Sequence, residues 1–116
     1  RLMEFAFDAD ETGRLQHTLS ERLFRAYFCE GQDVGDLETL LGLASEVGLS
    51  KPDAARYFEE QQGIREVEEQ LERAPELGVS GVPGYYLAEG FLLPGAQTSE
   101  TMGQIIARVK DRLVSR

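Results

Sequence analysis

The chain has 116 residues, of which 41% are hydrophobic, and this is typical of a single small globular domain with a modest core. Its 21 acidic residues outnumber its 12 basic residues, which gives a net charge of −9 at pH 7. Because nucleic acids and anionic membranes bind clustered Lys and Arg, we expect neither as a partner.

The amino-terminal third of the chain is predicted to be helical. Residues 1–7 are typical of a helix interior, and Gly31 is expected to end the helix that follows. That second helix has apolar residues at steps of four, widened by aromatic neighbours. These residues are Leu15, Leu19, Leu23, Phe24, Tyr27 and Phe28. We therefore expect this whole face, including its aromatic side chains, to be buried.

Three further helices are predicted before residue 78. Asp36 is a suitable N-cap for the first, and Ser50 with Asp53 resembles a capping box for the second. The third begins an apolar stripe at Ile64, and Pro75 is expected to kink it near its end. The main core is then predicted to comprise Leu19, Leu23, Phe24, Phe28, Leu40, Leu41, Ile64, Val67 and Leu71.

The carboxyl-terminal third is predicted to hold one β-hairpin and a last helix. Residues 85–87 and 91–93 are aromatic and branched, and a short turn that ends at Gly90 separates them. The last helix is expected to start near Thr98 or Ser99. These elements predict an α+β fold that is mostly helical.

A short loop lies between the fourth predicted helix and the hairpin. Gly78 is expected to stop the helix, and Val82-Pro83 then stands directly before a strand. Proline lacks an N–H and fixes its own φ, so it suits the first residue of a strand whose neighbouring edge is open. An X-Pro bond can also adopt the cis form at modest cost.

This loop resembles the cis-proline loop of thioredoxin-fold proteins. Together with its flanks it resembles the DsbA-like branch, which includes FrnE-type proteins and 2-hydroxychromene-2-carboxylate isomerases. Two more stretches are similar to that branch, namely residues 23–36, which begin LFRAYF and continue EGQDVGD, and Gly95–Gln97 before the last helix. The three stretches stand in the family's order.

The resemblance implies a thioredoxin-fold fragment. Residues 1–77 would be the DsbA-like helical insertion, truncated at its start, and residues 78–116 the carboxyl-terminal ββα part, the two forming one compact unit. The half of the family's fold that carries the CxxC motif is expected to lie outside these 116 residues. The inner edge of the strand after Pro83 would then lack its neighbour, and we expect a homodimer that pairs this edge.

The resemblance also implies a function, that of a protein thiol-disulfide oxidoreductase acting on a thiol or disulfide in a protein or peptide. Val82, Pro83 and Tyr85 are the expected substrate-binding residues, with one of the two tyrosines at positions 85 and 86 facing inward and the other outward. No catalytic residue, metal or cofactor is expected within the chain, and whether it acts as an enzyme stays open. A non-catalytic interaction module and part of a glutathione-dependent isomerase are the alternatives.

The single cysteine and the single histidine are the remaining candidates for a functional role. Cys29 is a candidate redox thiol, although a plain, partly buried thiol is the favoured interpretation because no second cysteine could pair with it. His17 has no ligand-forming neighbour and is predicted to lie on the surface. A fold that needs no disulfide suits a reducing compartment, and we expect a cytoplasmic protein.

Overall fold

The structure is a computed structural model that describes residues 1–88 and 90–115. These residues form six helices and one antiparallel hairpin. The elements are α1 (Leu2–Ala9), α2 (Arg14–Phe28), α3 (Leu37–Glu46), α4 (Lys51–Glu59), α5 (Ile64–Glu76), β1 (Gly84–Leu87), β2 (Phe91–Pro94) and α6 (Ser99–Val114). The predicted mostly helical α+β fold is confirmed. Among the described residues, no helix is both long and apolar enough to cross a membrane.

The chain divides into two compact units within α5. The first unit covers residues 1–69, and the second covers the described residues from Gln70 on. The predicted boundary, between residues 77 and 78, lies further along the chain and stays a prediction.

Three helix starts are fixed by side-chain caps. Those at Asp36 and Ser50 were predicted, and for the last helix the sequence predicted only a start near Thr98 or Ser99. The Asp36 carboxylate accepts a hydrogen bond from the backbone N–H of Thr39 at 3.0 Å. The Ser50 and Thr98 hydroxyls each accept one from the N–H three residues on, at 3.3 Å and 3.1 Å. Each cap satisfies one of the N–H groups that a helix start leaves without a partner, and so sets where the helix begins.

The core of the first unit is formed by α1 to α4. Leu19 and Leu41 are buried there, as predicted, while Leu23 and Leu40 pack against it partly buried. The other core residues are small or lie outside the predicted set. They are Leu2, Ala6, Ala44, Leu49 and Ala54. Four of the seven buried residues of this cluster are leucines and three are alanines, so large and small side chains together fill the core.

The aromatic part of the predicted core is wrong. Phe24 is 61% exposed and Phe28 73%, and Leu71 on α5 is 70% exposed. The reason is angular, because successive helix residues turn by about 100°, which places Phe24 about 140° and Phe28 about 180° around α2 from Leu19. Ala26, which lies almost in line with Leu19, is fully buried instead. The inward stripe of α2 is therefore narrower than the apolar pattern suggested.

Arg22 joins three segments of the first unit. Its guanidinium donates to Glu46 at the end of α3 at 2.7 Å, and to both carboxylate oxygens of Glu30 after α2 at 2.9 and 3.1 Å. The hydrogen bonds from Arg22 lower the pKa of Glu30. This bidentate pair fixes the turn that follows α2, within the EGQDVGD part of residues 23–36.

Candidate functional site

The loop between α5 and β1 starts at a defined helix end. Gly78 has a φ of +85°, a conformation that suits glycine. Its N–H donates to the carbonyl of Pro75 at 2.9 Å, and the N–H of Val79 donates to that of Ala74, also at 2.9 Å. These two bonds form a Schellman motif, so the predicted stop at Gly78 is confirmed.

The tip of the loop presents Val82 to solvent. This side chain is 96% exposed, and the peptide bond between Val82 and Pro83 is cis. The carbonyl of Pro83 accepts a hydrogen bond from the N–H of Gly95 at 2.8 Å. The loop is thereby fixed to the residue that follows β2. Among the described residues, no backbone hydrogen bond involves Val82.

The loop packs back against the start of β1. A Cβ on Gly84 would lie 3.1 Å from Cγ1 of Val79, closer than side chains normally approach, so glycine allows this contact. A groove of about 190 Å³ lies along the loop, with Leu92 and Pro94 of β2 on its other side. Residues 77–87 include no charged side chain, so the groove can bind a partner through backbone groups, apolar contact and the hydroxyl of Ser80, but not through an ion pair with this segment.

The two tyrosines of β1 are almost equally exposed. In the hairpin Tyr85 pairs with Leu93, and Tyr86 pairs with Leu92. Tyr85 is 39% exposed and Tyr86 38%, so the predicted contrast between an inward and an outward tyrosine is wrong. No described residue of either strand is fully buried, because neither face of the hairpin is completely covered. The predicted homodimer through the edge of β1 stays a prediction.

The structure places the other candidates in the first unit. Cys29 is the C-cap residue of α2 and its side chain is exposed, so the predicted partly buried thiol is wrong. His17 is exposed as predicted, with Nε2 3.4 Å from a carboxylate oxygen of Glu21.

One contact of the site was missed from the sequence. The bond from Gly95 to Pro83 joins residues on opposite sides of the hairpin, and only the pairing register brings them together. Gly95 has a φ of +79°, and a glycine directly after the second strand was its one visible signal.

Comparison with known proteins gives one match. A family model described as a DSBA-like thioredoxin domain matches residues 1–107. No curated protein and no solved structure matches the chain.

Proposed function

The chain belongs to the family of DSBA-like thioredoxin domains, and from this we propose that it is the substrate-binding portion of a thiol-disulfide oxidoreductase. Its partner would be an extended protein or peptide segment that contains a thiol or a disulfide. This substrate segment would bind along Val82, Pro83 and Tyr85. The reactive cysteines would lie outside these 116 residues.

The chemistry of thiol-disulfide exchange explains why this chain would bind the substrate while the reactive cysteines lie elsewhere. A thiolate attacks one sulfur of a substrate disulfide, and the other sulfur leaves as a thiolate, which gives a mixed disulfide. A second enzyme thiol then attacks the mixed disulfide and releases the reduced substrate, so two cysteines are needed. The chain has only Cys29. Its contribution to such a cycle would be to hold the substrate next to the reacting sulfurs.

The observation that carries the proposal concerns the exposure of Val82 and the hydrogen bonding of its backbone. Its side chain is almost fully exposed, and among the described residues its backbone N–H and C=O make no backbone hydrogen bond. An extended peptide binds such groups by β-augmentation, in which main-chain hydrogen bonds supply the affinity. The absence of charge along residues 77–87 suits substrates of varied sequence, because nothing there selects a particular side-chain charge.

Replacement of Val82 by proline is expected to weaken peptide binding by about tenfold, because it removes the backbone N–H. Val82→Ala keeps that N–H and is the matched control, expected to bind like the parent chain. The measurement is an NMR titration of the ¹⁵N-labelled chain with short, proline-free peptides that contain S-methylcysteine, which cannot exchange with Cys29. Binding should shift the amide signals of residues 79–85.

Two results of that titration would contradict the proposal. One is equal affinity of Val82→Pro and Val82→Ala, since the N–H would then have no role. The other is a peptide that shifts signals elsewhere and leaves the loop unchanged. Thermal melts of both variants show whether the chain remains folded, so that a lost fold is not taken for lost binding.

The chain by itself is expected not to catalyse thiol-disulfide exchange, because one cysteine cannot complete the two-thiol cycle. The measurement is the reduction of insulin by dithiothreitol with and without the chain, with Cys29→Ser as control. Acceleration that persists in Cys29→Ser would show a catalyst that uses no thiol of this chain, and the proposal would have to be abandoned.

A further inference from the structure

A second cavity lies in the second unit, between the hairpin and α6. Its volume is about 410 Å³, within the range of small-molecule sites. The buried side chain of Val109 lies in its wall. The remaining apolar lining comes from both strands and from one further position of the helix, namely Leu87, Phe91, Leu92, Leu93 and Ile105.

Two arginines give this cavity a charge. Arg108 and Arg112 both line it and are one helical turn apart on α6, so they lie on the same face. The Arg112 guanidinium carbon is 5.9 Å from the ring centroid of Phe91, close enough for a cation–π contact. No carboxylate side chain is among the described lining residues.

Some arginines of the chain are paired with carboxylates and others are not. Arg22, Arg56 and Arg65 each form an ion pair with a carboxylate at 2.7–3.1 Å. Within the described part of the chain, no ion pair involves Arg108 or Arg112, which is also true of several other arginines. Arg108 and Arg112 are distinguished by lining an apolar cavity together. The chain has 21 acidic residues, so carboxylates are abundant, yet this pair faces an apolar cavity instead.

We propose that this cavity binds a small amphiphilic carboxylate, with its hydrocarbon chain against the apolar wall and its carboxylate on Arg108 and Arg112. A guanidinium matches a carboxylate in both charge and geometry, and can donate two parallel hydrogen bonds to it. Apolar surface removed from water at the wall stabilises the hydrocarbon end. The same two cations repel an amine of equal length. This inference is independent of the peptide-binding loop.

The test is an NMR titration of the ¹⁵N-labelled chain with octanoate, 1-octanol and octylammonium, each below the concentration at which it forms micelles. Octanoate is expected to shift the amides of residues 91–93 and 105–112 and to bind at least about tenfold more tightly than octanol. Arg108→Gln with Arg112→Gln should remove that advantage. Lys110→Gln is the matched control, since it deletes one positive charge from the same helix at a residue that does not line the cavity.

Three results would overturn the proposal. Octylammonium that binds as tightly as octanoate would show that the arginines do not select the ligand. An equal loss of affinity in Lys110→Gln would indicate a general effect of charge. Signals of the cavity that respond to dilution of the protein, and not to octanoate, would assign this face to a second copy of the chain.

Discussion

Leu19→Ala is expected to lower the free energy of unfolding of the first unit by about 2–5 kcal/mol, whereas Phe24→Ala should change it by less than about 1 kcal/mol. Both residues belong to α2, and by size alone the phenylalanine should matter more. Leu19, however, is fully buried among α1, α3 and α4, while Phe24 is 61% exposed. Removing buried methyl groups loses transfer free energy and leaves a cavity, and neither cost applies to a side chain in water.

Urea denaturation followed by circular dichroism measures both variants against the parent chain. The ring centroid of Phe24 lies 6.2 Å from that of Phe28, which is also exposed. A large loss of stability in Phe24→Ala would therefore mean that this face of α2 is covered in solution. Repeating the melts over a range of protein concentrations then shows whether a second copy covers it, because only an oligomer depends on concentration.

Local sequence signals predicted where the elements begin and end. Asp36, Ser50 and Thr98 cap helices through bonds to residues three positions away, so the information that places them is short-range. Gly78 is a similar case, since its positive φ and the two bonds of the Schellman motif involve only the last turn of α5.

The faces of the elements were harder to predict. An apolar stripe on a helix shows which residues could be buried, but the neighbouring helices decide how wide a strip is covered. On α2 the small side chain of Ala26 is buried and the large rings of Phe24 and Phe28 are not. Apolar character by itself could not distinguish these cases, because exposed hydrophobic residues are common on protein surfaces.

The candidate site likewise has a part that the sequence predicted and a part that it did not. One local pattern singled out Val82, Pro83 and Tyr85, because they lie close together in the sequence. The bond between Gly95 and Pro83 depends on the register of the hairpin, and the cavity beside Arg108 and Arg112 depends on how α6 packs against that hairpin. Such features combine residues far apart in the sequence, and only the folded chain brings them together.

At Gly63 both the backbone conformation and the packing require glycine. It is the residue before α5, it is buried, and its φ is +78°, where an L side chain is strained. A Cβ at this position would also lie 2.9 Å from Cζ of Tyr57. Tyr57 is only 7% exposed and packs against Phe5 with 5.3 Å between ring centroids, so it has little room to move. Gly48 has a similar φ of +97°, but a Cβ there would meet no atom within 4 Å.

Gly63→Ala is therefore expected to destabilise the first unit by about 2–5 kcal/mol, and Gly48→Ala by only about 1–2 kcal/mol. The left-handed conformation costs about 1–2 kcal/mol in both variants, and overpacking against a fixed ring adds about 1–3 kcal/mol at Gly63 alone. Urea denaturation of the two variants measures the difference directly. Equal losses would show that Tyr57 moves aside freely, and its ring could then not be the rigid part of the core that the contact with Phe5 indicates. The same substitution is also made in a Tyr57→Leu variant and compared with Tyr57→Leu alone. If Gly63→Ala then lowers the free energy of unfolding by less, the cost arises from the contact between these two residues.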